Sequence, residues 1–129
     1  MYPIKVSSTS SRFRHDIAIG EKFYLTADEP LEVGGDDGGP TPLDFVLAGL
    51  GSCKAITIKM YAERKGWELT DVKVDVTHQK INNQYQIFAS LHLEGNLTEE
   101  QKLRLLEIAN KCPVHKILAS GVEIQTAFT

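Results

Sequence analysis

The sequence predicts an α+β domain with mainly antiparallel sheet, and three observations carry that expectation. Strand-like and helix-like segments come in blocks and not in strict β-α alternation. Two alternating runs flank Asn82-Asn83, the signature of a hairpin. One long stretch, 42–65, reads as a helix whose apolar residues surround it on all sides. The 129 residues are enough for one compact domain, 1–129, and too few for two ordinary ones.

The elements follow in order. From Arg12 to Ile19, Phe13, His15, Ile17 and Ile19 alternate with Arg12, Arg14, Asp16 and Ala18, which predicts a strand. Gly20-Glu21 turns the chain into a second strand, Lys22 to Ala27. Gly34-Gly35-Asp36-Asp37-Gly38-Gly39-Pro40 must be loop, a connector that permits tight turns; it lacks the Lys and Ser/Thr of a phosphate-binding loop. Thr41 then caps a helix with Pro42 at its first position and Asp44 placed to return a hydrogen bond to the cap.

That helix should run to Lys65 and stop at Gly66. Leu43, Phe45, Val46, Leu47, Leu50, Ile56, Ile58 and Met60 spread around it, small residues occupy its middle, and the run Glu63-Arg64-Lys65 marks the turn where it should emerge. It is expected to be the buried central helix, wrapped by sheet or by a partner subunit. Val72, Val74 and Val76 predict a half-buried strand, with Tyr85, Ile87, Ala89, Leu91 and Leu93 as its hairpin partner. Thr98-Glu99-Glu100-Gln101 is a capping box before a helix with Leu105, Ile108 and Cys112 on one face. Pro113 starts a further short helix, Val114 to Ala119, closed by Gly121, and Val122, Ile124 and Thr126 predict a last strand.

Composition narrows the function. A net charge of −3 argues against a nucleic-acid-backbone binder. No run approaches the roughly 18 consecutive apolar residues of a membrane span. The start, Met1-Tyr2-Pro3-Ile4-Lys5-Val6-Ser7, does not read as a secretory signal, and two cysteines do not make a disulfide-stapled miniprotein. The expectation is a cytoplasmic protein with neither nucleic-acid nor membrane partners.

The residues that could carry chemistry are few. Cys53 falls mid-helix among Gly51, Ser52 and Ala55, where small neighbours admit a substrate or another backbone. Cys112 precedes Pro113 at a helix break, where the following N–H groups and the helix dipole favour a thiolate. On composition alone both cysteines read first as small core hydrophobes. Cys112 and His115 could join Cys53 at zinc, but no fourth ligand presents itself. His15, His78 and His92 read as surface or edge residues, Arg12 and Arg14 as solvated charges, and Asp44 as a helix-start residue.

Several blocks together resemble the OsmC/Ohr family: Ala27-Asp28-Glu29-Pro30, Gly34-Gly35, Gly39-Pro40-Thr41-Pro42, Leu47-Ala48-Gly49-Leu50-Gly51-Ser52-Cys53, Met60-Tyr61-Ala62-Glu63-Arg64-Lys65-Gly66-Trp67, and Leu105 through Cys112-Pro113-Val114-His115. They occur in the family's order from about Phe13 onward and are most like the branch that includes domains fused to hydrolases. The resemblance implies the OsmC-like fold, sheets wrapped around a long central helix in an intertwined homodimer. It implies a thiol-dependent peroxidase for organic hydroperoxides, with Cys53 peroxidatic and Cys112 resolving.

It further implies an activating arginine, Arg12 or Arg14, with the spacing to Leu25-Thr26-Ala27-Asp28 favouring Arg12. Asp44 would hold that arginine, although the family's acid directly follows the proline, where this chain has Leu43. No cofactor is implied, only an external dithiol, lipoyl groups in the family, to restore the thiols. Two other readings stand beside it. One is a non-enzymatic module of the same fold holding a small lipophilic ligand or a metal; the other is a structural dimer with inert cysteines.

Overall fold

A computed structural model describes residues 1–129 and divides them into two compact units, Met1–Val46 and Leu47–Thr129. The class is α+β with antiparallel sheets, as expected.

The first unit is built on a three-stranded antiparallel sheet, β1 (Ile4–Ser8), β2 (His15–Ile19) and β3 (Phe23–Ala27), in that order. The sequence reading missed β1, and it started the next strand early, at Arg12 where β2 begins at His15. Ile4–Ser8 is short and exposed on all five positions, so its alternation is no stronger than that of a loop; pairing with β2 makes it a strand. Gly20 takes φ +61 in the β2–β3 turn.

The glycine loop is more ordered than a bare connector. Asp28 is 2 % exposed, and its carboxylate accepts the backbone N–H groups of Glu29 (2.8 Å), Gly38 (3.0 Å) and Asp36 (3.3 Å). Burial raises the Asp28 carboxyl, but those three N–H donors and the charge of Arg14 outweigh it and leave the group below its ordinary value. Gly35 has no room for a side chain: a Cβ there would lie 2.0 Å from the Glu29 carbonyl oxygen.

Helix α1 (Pro42–Lys65) starts and stops where the sequence places it. Thr41 N–H donates to Asp44 Oδ2 (3.0 Å) and Asp44 N–H to Thr41 Oγ1 (3.2 Å), a reciprocal cap. At its far end Gly66 takes φ +70, and Trp67 N–H returns to the Ala62 carbonyl (2.9 Å). By length and composition α1 is apolar enough to cross a membrane.

The second unit pairs β4 (Glu68–Ile81) with β5 (Gln84–Asn96) in a long hairpin. Asn82 and Asn83 at φ 52 and 64 form its two-residue turn. Helix α2 (Glu99–Ala109) opens on the expected Thr98–Gln101 capping box. Helix α3 (Pro113–Ser120) follows with Cys112 at its N-cap. Ile58 and Ala62 of α1 and Leu105 and Ala109 of α2 form the core, with Trp67, Val72, Leu91 and Leu93 packed around them.

Two expectations need correction. The predicted last strand is not formed: residues 121–129 have no regular structure, and Val122 and Ile124 are exposed. A strand exists only where another backbone completes its ladder, and within this chain none does. Nor does α2 reach Cys112: it ends at Ala109, since the residue before a proline is disfavoured in a helix, and Cys112 caps α3 instead. The chain itself covers one side of α1. Leu47, Gly51, Lys54, Ile58 and Ala62 form one buried stripe together with Leu50, while Val46, Ile56 and Met60 are exposed.

Candidate active site

Cys53 and Cys112 are neighbours in the second unit, and both are free thiols. Cys53 reaches the site from the middle of α1 and is half-buried. Cys112 is fully buried between α2 and α3, because α2 ends at Ala109 and the chain must turn before Pro113 can begin the next helix. Its Sγ accepts the backbone N–H of His115 at 3.3 Å, in the manner of an N-cap oxygen.

The chemistry of Cys112 is a contest between burial and donors. Burial pushes its thiol up; the His115 N–H pulls it down; the adjacent Cys53 raises it again, and the charge of Lys54 lowers it. The net direction is upward, so Cys112 is held as a thiol in the resting protein.

Lys54 was absent from the sequence reading, which took the helix's charge to lie in its last turn. It is 3 % exposed. Its ammonium donates to the Ala109 carbonyl at 3.0 Å, to Asn110 Oδ1 at 3.5 Å and to His115 Nδ1 at 2.8 Å. An ammonium has no acceptor, so Nδ1 must accept and the imidazole proton sits on Nε2. Burial, and then the charge of Lys54, depress His115 below its ordinary value and keep it neutral. Positions 47, 51, 54, 58 and 62 share one helical face with Lys54 as the cation on it, but the helix is apolar all round, so nothing in the sequence marks that face as the buried one.

A cavity of about 280 Å³ opens beside these groups. Lys54, His115, Asn110 and Tyr85 give it polar edges, and Leu50, Ile87 and Leu118 give it apolar walls. His115 is turned toward an ammonium, and no group of three His, Cys, Asp or Glu residues is arranged to hold a metal ion. The donor set does not fit zinc.

Arg12, Arg14 and Asp44 lie in the first unit. Arg12 lies over the Phe13 ring, its guanidinium carbon 4.7 Å from the centroid. Arg14 donates to Ser11 Oγ and lends its charge to Asp28. Asp44 is engaged in the α1 cap, and within the chain no ion pair joins it to either arginine. Of the remaining histidines, His15 Nδ1 faces the Phe13 carbonyl, His78 stacks on Tyr85, and His92 pairs with Glu94.

Comparison with known proteins decides the family. The OsmC-like protein family matches residues 34–127, which include α1 and both cysteines. The chain belongs to the OsmC-like family. Solved structures of similar fold include an OsmC-like protein from Mycoplasma pneumoniae (TM-score 0.77, 20 % identity, covering 92 % of this chain and 87 % of that one). An organic hydroperoxide resistance protein OsmC from Legionella pneumophila is similar at TM-score 0.69 and 18 % identity, covering 92 % and 88 %. The organic hydroperoxide resistance protein OhrB of Bacillus subtilis is similar at TM-score 0.61 and 17 % identity, covering 90 % and 88 %. No curated protein matches the sequence. At these identities the solved structures speak for the OsmC-like fold alone.

Proposed function

We propose that this OsmC-like protein is a thiol-dependent peroxidase that reduces organic hydroperoxides, with Cys53 as the peroxidatic and Cys112 as the resolving cysteine. The observation that carries the reading is two free, adjacent thiols of unequal exposure, the half-buried one on α1 and the fully buried one at the α3 N-cap. That asymmetry suits the division of labour. The more accessible sulfur meets the peroxide, and the sequestered one meets only its neighbour.

In the first step the Cys53 thiolate attacks the peroxide's distal oxygen. The S–O bond forms and the O–O bond breaks. The alkoxide leaves and takes up the proton Cys53 released, giving an alcohol and a sulfenic acid. In the second step Cys112 attacks the oxidised sulfur, a disulfide forms, and hydroxide departs as water with the proton from Cys112. An external dithiol, of the lipoyl class, then reduces the disulfide by exchange. The chemistry uses cysteine sulfur alone.

Arg12 or Arg14 supplies the cation for Cys53, and Asp44 steadies it, within a homodimer located in the cytoplasm. Apolar side chains left exposed on α1 support a second copy as the partner. The test is intact mass after one equivalent of cumene hydroperoxide, with Cys53→Ser and Cys112→Ser in parallel. Loss of two hydrogens that requires both cysteines is the expected result; an unchanged mass with both thiols free overturns the reading.

The apolar-walled cavity favours a second reading, a binding module for a small lipophilic ligand. Under it, Cys53→Ser retains ligand and no hydroperoxide is turned over.

A further inference from the structure

Lys54 is a buried cation with no anion. None of its three acceptors carries a formal charge, and no carboxylate lies within ion-pair distance of its Nζ. What compensates it is the carbonyl end of α2, where Ala109 offers the negative pole of the helix dipole and the Asn110 side-chain oxygen adds a second acceptor. A lysine so held normally loses its charge or finds a counter-ion. The ionisable groups that surround it are Cys53 from its own helix, Cys112 from the α2–α3 turn, His115 of α3, and Tyr85 of β5 across the cavity. His115 accepts from the ammonium and is neutral, and its own backbone N–H points at Cys112 Sγ. The N-terminal end of α3 is thus aimed at Cys112 Sγ, and the ammonium stands one residue away, on the side chain of the same His115.

We propose that Lys54 is a positioning residue for the second thiol step, holding positive charge beside Cys112 so that Cys112 can give up its proton inside the fold and attack the oxidised sulfur of Cys53. The inference rests on the peroxidase reading for its role in the cycle, and on the hydrogen bonds of Lys54 and His115 for where the charge sits. It addresses a demand that reading creates, since a resolving cysteine that is fully buried and resting as a thiol must still reach the thiolate. The balance is unchanged: the S–S bond forms, the S–O bond breaks, and the proton Cys112 releases leaves with the hydroxide as water. No further oxidant is consumed.

The experiment has two arms. In a Cys53→Ser background Cys112 is the remaining thiol, and its ionisation is followed by the ultraviolet absorbance of the thiolate against pH. Lys54→Met should move the midpoint up by about one unit, about tenfold less thiolate at a given pH, while Lys54→Arg stays near the parent. Equal midpoints in the Met variant and the parent overturn the proposal. If Lys54→Met does not fold, the Cε resonance of Lys54 in the Cys53→Ser protein decides. A step at the pH where Cys112 ionises supports the proposal, and a flat trace refutes it.

The second arm uses both cysteines and cumene hydroperoxide. Lys54→Met should accumulate sulfenic acid on Cys53, trapped with dimedone, and form disulfide about tenfold more slowly than the parent, in proportion to the lost thiolate. Disulfide formation at the parent's rate overturns the role in the cycle. If the parent is not oxidised at all, the peroxidase reading fails by itself, and the titration arm still reports on the Lys54 charge.

Discussion

His115 is where the cysteine site meets pH. It is neutral because burial and the Lys54 ammonium both oppose its charge. Its folded value lies below the ordinary 6.5, so protonation favours the unfolded chain. The stability this represents is fully present above 6.5 and is lost as pH falls through the depressed folded value. The thermal midpoint should therefore decline from about pH 7 toward about pH 5, and His115→Gln should flatten that slope. A His115→Gln profile as steep as the parent's would show that the imidazole is not the titrating group. At the same scale, Cys112 shows why a thiol's chemistry is not legible from its neighbours in sequence. Pro113 and the α3 N-terminus suggest a low value, yet burial dominates and the net direction is upward.

Among the elements, α1 is the most fully specified by local sequence. Thr41, Pro42 and Asp44 fix its start, and Gly66 fixes its stop. Thr41→Ala removes one half of the reciprocal cap and should cost about 1 kcal/mol in chemical denaturation. A loss near zero would mean water satisfies those N–H groups as well. The loop before α1 depends on backbone proximity instead. Gly35→Ala places a Cβ 2.0 Å from a carbonyl oxygen, so the segment around Asp28 must move, and the variant should melt well below the parent. An unchanged melting temperature would count against the tight Glu29–Gly35 approach. Which stripe of α1 is buried was not legible, because the helix is apolar all round and its period gives no preferred face. The stripe is chosen by the sheet: Gly51 lies against Val76 of β4, where a Cβ would approach the Val76 side chain to 3.0 Å.

At the scale of the whole molecule, the two units differ in what they bury. The buried apolar residues Leu47, Leu50, Ile58, Ala62, Leu105, Ile108, Ala109 and Cys112 all belong to the second unit. The first unit has none, and Phe23, Tyr24 and Leu25 of β3 are exposed. Val46, Ile56 and Met60 on α1, with Phe88 on β5, add to the uncovered apolar surface. This is the surface the proposed homodimer would cover. Sedimentation should give twice the 14.3 kDa chain mass, and Ile56→Glu should shift the population toward monomer. A single species of chain mass at micromolar concentration would refute the homodimer. The predicted strand at Val122, Ile124 and Thr126 belongs to the same scale, since its alternation is real but only another backbone could complete it.

The sequence by itself determined the class, the boundaries of α1, the start of α2, the hairpin at Asn82-Asn83, and the pair Cys53 and Cys112 as the residues to watch. Caps, turns and side-chain periods act over a few residues, so they can be read locally. Tertiary structure alone decided which face of α1 is buried, that Asp28 organises the glycine loop, and that Lys54, His115 and Cys112 share one site. Those outcomes join residues up to 61 positions apart, as between Lys54 and His115. They are set by where burial, helix ends and charge converge in space, and no short stretch of sequence carries that.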